Sequence, residues 1–167
     1  MIYQILWVED SPQGAFSSYL SRILTDPDID LKLAYDATQA FQYLGKNYYH
    51  LVIFDLDLPP GDNEIFQSIY RFCAPAPGKI DCVLGCHLLR LWLGYEPVNF
   101  PETANADVLR LPIPLTIDQI IVYSVYANNF RKNLKKIGLE DERIIQKDAR
   151  QSRFFLHRRI KSFLEAK

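Results

Sequence analysis

Two short apolar runs that end on carboxylates constrain this chain more than any other feature. Ile5-Leu6-Trp7-Val8 runs into Glu9-Asp10, and Leu51-Val52-Ile53-Phe54 runs into Asp55, with Asp57 two residues further on. Apolar runs of this length, bounded by polar breaks, read as fully buried strands of a parallel sheet. Two neighbouring strands of that kind deliver Glu9, Asp10 and Asp55 to one edge of the sheet. Three carboxylates at one point repel each other unless a cation or protons intervene. That cost points to a site rather than to scaffold.

The rest of the sequence alternates in the same manner. A first strand spans about 2–8, and Ser11-Pro12 opens a helix that reaches Leu24. Serine is a good helix cap and proline is tolerated at the first helical position. A second strand covers Leu31–Tyr35 and a helix Ala37–Leu44; the third strand is 50–55, and the loop Pro59–Asn63 leads into a helix over 64–73. After the break Ala74–Gly78, the pattern predicts a fourth strand at Ile80–Gly85, a helix at His87–Gly94, a fifth strand at Val108–Leu111 and a long last helix from Thr116. Such βα alternation implies a flavodoxin-like, doubly wound, five-stranded parallel sheet of order 2-1-3-4-5. Ligands of such sheets bind beyond the carboxyl ends of the strands, here between strands one and three. Those are the strands that carry the acids.

Charge divides the chain. Residues 1–130 hold 7 Lys/Arg and 15 Asp/Glu, whereas residues 131–167 hold 12 and 5. The expectation is a first unit over 1–130 with a basic helical extension over 131–167. An apolar seam through the extension (Ile145, Leu156, Ile160, Phe163) suits packing or homodimerisation. No helix-turn-helix is recognisable there, so direct DNA binding is not expected. No apolar stretch reaches the roughly 18 residues of a membrane helix, and no secretory pattern opens the chain, so a cytoplasmic protein is expected. Cys73, Cys82 and Cys86 make an odd count and a poor disulfide frame; with His87 they suit buried packing better than a soft metal site.

With these residues in place, the chain resembles the receiver domain of two-component response regulators over about residues 1–130. Glu9-Asp10 matches that family's acidic pair, Asp55 its phosphoacceptor, Pro59–Asn63 its Pro-x-x-Asp-Gly loop with asparagine for glycine, and Pro112 the proline of its Lys-Pro pair. The resemblance implies that Asp55 accepts a phosphoryl group from a phosphohistidine on a sensor histidine kinase or a phosphotransfer protein. It also implies Mg²⁺ held by Glu9, Asp10 and Asp55, with Asp57 contributing its backbone carbonyl. Carboxylates do form aspartyl phosphates, and Mg²⁺ favours such hard oxygen ligands. A signalling protein rather than an enzyme follows from it, with output by protein contacts through the tail or the face of strands four and five.

Two parts of the family's switch look replaced. Its Ser/Thr after strand four falls on Cys86, or on Gly85 one position back, and its lysine before the proline falls on Leu111. Its strand-five aromatic falls on Val108, and Arg110 points to the opposite face. The expectation is therefore an atypical receiver, the alternative being a pseudo-receiver that assembles without phosphate. A third reading takes Asp55-Leu56-Asp57 as the Asp-x-Asp motif of haloacid-dehalogenase-like phosphatases. Pro59 and the late position of the motif count against it.

Overall fold

Strand propensity and burial build the sheet first. The computed structural model describes residues 1–11, 17–73, 83–98, 100–101, 104–148, 150–152 and 154–166. Five parallel strands, β1 (Tyr3–Val8), β2 (Ile29–Ala34), β3 (Leu51–Phe54), β4 (Ile120–Ser124) and β5 (Ile144–Gln146), form one sheet. Its order is β2-β1-β3-β4-β5, the expected 2-1-3-4-5. Around it lie α1 (Ser17–Leu24), α2 (Ala37–Leu44), α3 (Glu64–Cys73), α4 (Leu84–Trp92), α5 (Ala127–Lys136) and α6 (Phe155–Glu165).

Side chains alternate along each strand, so the sheet carries two cores. Leu6, Val8, Val52, Phe54, Ile120 and Val122 face the core shared with residues of α2, α3, α4 and α5. Ile5, Trp7, Ile53, Ile121, Tyr123 and Ile145 face the core shared with α1 and α6. Every residue of β3 and β4 is buried, as a central strand covered on both faces requires.

Local capping fixes two helices as the sequence suggests. The Asp36 side chain accepts from the Gln39 N–H at 2.8 Å and caps α2, an interaction worth about 1 kcal/mol. Asn63 caps α3 by accepting from the N–H groups of Ile65 (2.9 Å) and Phe66 (3.2 Å). The left-handed residue of the Pro59–Asn63 loop is Gly61, at φ 74°. A Cβ there would sit 2.6 Å from Asp36 Oδ1 and from Thr38 Oγ1.

The second half of the chain departs from expectation. Residues 80–82 of the expected fourth strand lie outside the described residues, while Leu84 and Gly85 open α4. The expected fifth strand at Val108–Leu111 overlaps a three-ten turn at Ala106–Leu109, and Pro112 follows that turn rather than a strand. The last helix expected from Thr116 begins instead with β4. Thr116 and Gln119 do form a capping box, but it closes only a three-ten turn at Ile117–Gln119. Ile120-Ile121-Val122-Tyr123 then takes the extended state that β-branched and aromatic residues favour. The helical spacing of Ile120, Phe130 and Leu134 spans two elements, β4 and α5.

Residues 131–167 are likewise part of the sheet fold. Position 130 lies inside α5, and β5 and α6 both follow it. Glu140-Asp141-Glu142, inside the stretch expected to be helical, leads into a three-ten turn at Asp141–Arg143 and then β5. Arg143 is buried and donates through Nη1 to the carbonyls of Asp118 and Ile120, both at 3.0 Å. The seam residues Leu156, Ile160 and Phe163, with Leu164, are buried against the sheet of the same chain. Each contributes about 1.5–3 kcal/mol of burial, so the seam serves packing within the chain. His157 Nε2 donates to Asp26 at 2.6 Å and Lys161 to Asp28 at 3.1 Å, tying α6 to the turn before β2.

Cys73 is disulfide-bonded, against the expectation from the odd cysteine count. Among the described residues no helix is long and apolar enough to cross a membrane.

Candidate functional site

The strand ladders bring the acids together as the two opening runs imply. The Glu9 N–H donates to the Ala34 carbonyl at 2.9 Å, and the Asp55 N–H to the Val8 carbonyl at 3.0 Å. Both residues therefore sit at the carboxyl edge of adjacent strands, and both are 3% exposed. Oxygens of Glu9, Asp10 and Asp55 lie within 4.8 Å of one another, with Asp10 on the exposed side. This is the one metal-capable group of three or more acids, histidines or cysteines found among the described residues. Asp57 stands apart from that cluster: its side chain is exposed, and its N–H donates to Asp55 Oδ1 at 3.1 Å. That bond orients the Asp55 carboxylate.

The fourth and fifth strands bring two groups that the sequence reading missed. Ser124, fully buried, ends β4, and its Oγ accepts from the Tyr126 N–H at 3.2 Å. Immediately past β5 the Lys147 N–H donates to the Ser124 carbonyl at 3.0 Å. From there the Lys147 side chain, 3% exposed, reaches across the edge. Its ammonium donates to both Glu9 Oε2 and Asp55 Oδ2. The Tyr123 ring lies 5.7 Å from the same nitrogen, a cation–π distance.

Ser124 and Lys147 thus stand at the ends of the fourth and fifth strands, where the sequence pattern suggests Cys86 and Leu111. Cys86 lies within α4, where burial pushes its thiol up to about 12. Leu111 is buried in the connection before β4. Arg110 pairs with Glu96 (2.8 Å) and Asp107 (3.3 Å) instead. The true strand five reads Ile144-Ile145-Gln146, with no aromatic residue, and Asp148 rather than proline follows the lysine. Cys82 lies outside the described residues, and His87 lies on α4, lining a groove that does not include the acids.

Charge balance at the edge is incomplete. Burial, more than any other cause, raises the Glu9 carboxyl to about 7; Lys147 opposes this and the Asp55 charge adds to it. For Lys147 burial favours the neutral amine, but the carboxylates of Asp55 and Glu9 outweigh it and raise its affinity for the proton. Asp57 is raised as well, by burial first and then by the charges of Asp55 and Asp10. One ammonium faces Glu9, Asp55 and their exposed neighbour Asp10, so negative charge remains in excess. A hard divalent cation suits such an oxygen-rich, partly solvated cluster.

No protein-family model and no curated protein matches the chain. Its fold, however, matches solved structures along nearly the whole length. A CheY-like response regulator receiver domain protein from Methanospirillum hungatei is 18% identical, covering 99% of this chain and 96% of its own, at a TM-score of 0.57. The receiver domain of a Francisella response regulator is 16% identical over 98% of each chain, at 0.54. A two-component response regulator of the LuxR family from Aurantimonas is 16% identical over 100% of this chain and 88% of its own, at 0.53. The parallel sheet of order 2-1-3-4-5, its acidic edge and these likenesses agree: the chain has the fold of the response regulator receiver domains.

Proposed function

We propose that this chain is a receiver in two-component signalling, with Asp55 as phosphoacceptor. One observation carries the reading: Lys147, from the end of β5, is ion-paired with Asp55 and Glu9 at the edge where β4 ends in Ser124. That set supplies the lysine and hydroxyl whose apparent loss had made an inert pseudo-receiver the alternative.

Asp55 is the nucleophile. One of its oxygens attacks the phosphorus of a phosphohistidine on a kinase or phosphotransfer partner; the P–N bond breaks, and the leaving imidazole keeps the electron pair and takes up a proton. The Asp57 N–H on Oδ1 holds the carboxylate in place. Lys147 exchanges the consumed Asp55 charge for that of the new phosphoryl oxygens, a pairing that charged hydrogen bonds favour. Ser124 contributes a hydroxyl that can donate to the same oxygens. Glu9, Asp10 and Asp55, with the Asp57 carbonyl, are the residues to hold Mg²⁺, which when bound neutralises charge on the transferring group. The Asp-x-Asp phosphatase reading is not carried forward, since Asp55 follows the third strand of the chain and Asp57 faces solvent.

Strand five lacks the family's aromatic residue, so the signal leaves by another route. Output is by contacts with other proteins in the cytoplasm. The test is intact-mass spectrometry after incubation with Mg²⁺ and phosphoramidate. A gain of about 80 Da, the mass of one phosphoryl group, is expected for the wild type and not for Asp55→Asn. An unchanged wild-type mass, or an equal gain in the variant, overturns the reading.

A further inference from the structure

The connection between β3 and β4 holds two helices, α3 and α4, and a second concavity lies beside them, lined by none of the acids of the edge. A groove of about 800 Å³ opens between α3, α4 and α5, within the range of small-molecule sites. Its floor is Phe130 and Leu134 of α5 with Ile137 just after it, all buried in the core beneath. Its lip carries Phe72 and Val98, which are 53% and 51% exposed although large and apolar. Val83, which precedes α4, and Cys86, His87 and Arg90 of α4 face the space and are only partly covered.

The charges of the described lining residues have one sign. Arg90 and Lys136 are cations, and among the described residues no carboxylate lines the groove. The Arg90 guanidinium donates to the Glu96 carbonyl and lies 5.6 Å from the Tyr95 ring, so no carboxylate neutralises it in these contacts. Burial, aided by Arg90, lowers the proton affinity of His87. A bare phosphate gains nothing from the apolar side chains, and a neutral hydrocarbon gains nothing from the cations. An anion with an apolar body satisfies both.

We propose that the groove between α3, α4 and α5 is a binding site for an amphipathic organic anion, of which a medium-chain carboxylate is the simplest form. The site borders the acidic edge through α4, since the Gly85 N–H donates to the Leu56 carbonyl at 3.2 Å.

Calorimetric titration of the full chain with decanoate tests this, with decanol and inorganic phosphate as comparison probes. Saturable one-to-one binding of decanoate is expected, with decanol at least about tenfold weaker and phosphate not binding. Charge reversal in Arg90→Glu or Lys136→Glu is expected to weaken decanoate about tenfold, near 1.4 kcal/mol. Phe72→Ala, at an exposed position that the fold tolerates, weakens decanoate and decanol alike. No saturable binding, or binding of decanol equal to decanoate and indifferent to both charge reversals, overturns the proposal. Circular dichroism of each variant shows whether a loss comes from unfolding.

Discussion

Lys147 and Asp55 lie 92 positions apart in sequence and share a buried ion pair at the carboxyl edge of the sheet. The same ammonium also holds Glu9, so one side chain neutralises charge from two strands. Burying such groups is costly, and the pair is worth keeping only if each partner stays satisfied. Here a third carboxylate, Asp10, lies beside them.

A divalent cation should stabilise the fold through that edge. Mg²⁺ at ten times its dissociation constant is expected to add about 1.4 kcal/mol, a rise of roughly 3–6 °C in Tm for a domain of this size. Asp10→Asn should abolish most of the rise, since it removes the exposed ligand without opening the core. Thermal unfolding with and without Mg²⁺ reads both, and an equal rise in the variant would place the cation elsewhere.

Gly85 has no room for a side chain. A Cβ there would lie 2.6 Å from Leu56 Cα, 2.6 Å from the Leu56 carbonyl oxygen and 2.9 Å from that of Asp55. All three are backbone atoms, which cannot swing aside. Gly85→Ala is expected to cost about 1–3 kcal/mol, as overpacking does. It should also shift the amide resonances of Leu56 and Asp57 more than those of β2. A variant as stable as the wild type, with unshifted amides, would contradict the close approach.

Acid should loosen α6. Burial alone would raise the Asp26 carboxyl, but hydrogen bonds from His157 and the Asp28 N–H overcome this and hold it below the ordinary 3.8. The unfolded chain then binds the proton more tightly than the folded one. The contribution is fully present above pH 3.8 and is lost as pH falls through the lower folded value. Asp26→Asn should remove about 1.5–3 kcal/mol at neutral pH, the range for a hydrogen bond to a charged group. The gap between variant and wild type should close in strong acid. Urea unfolding at pH 7 and pH 2.5 measures both, and a gap that persists in acid would sink the assignment.

The first half of the fold was legible because each element carries its own local signal. Asp36 and Asn63 cap their helices, and the runs into Glu9 and Asp55 stay apolar with no break. The acidic half of the site followed directly. The other half was hidden by two decoys. Leu109-Arg110-Leu111-Pro112 imitates the end of a strand, and the Thr116–Gln119 capping box imitates the start of a long helix. With the β-branched run Ile120–Val122 absorbed into that helix, Ser124 could not be placed at a strand end. β5 has only three residues, too few for periodicity to reveal, so Lys147 looked like one more charge in a basic tail. The signal that could have found it was Ile144-Ile145-Gln146-Lys147 itself, a β-branched pair running into a lysine as the earlier strands run into acids.

The central claim, that Lys147 from β5 completes the acidic site of Asp55, is tested most directly by a double-mutant cycle. Stabilities of the wild type, Asp55→Asn, Lys147→Met and the double variant are measured by urea unfolding in EDTA, so that no cation replaces the ammonium. Lys147→Met leaves Glu9 and Asp55 facing each other uncompensated, and the second substitution relieves that repulsion. The account predicts a coupling of at least about 2 kcal/mol, at the upper end for groups in contact. Single effects that add to within about 0.5 kcal/mol would contradict it.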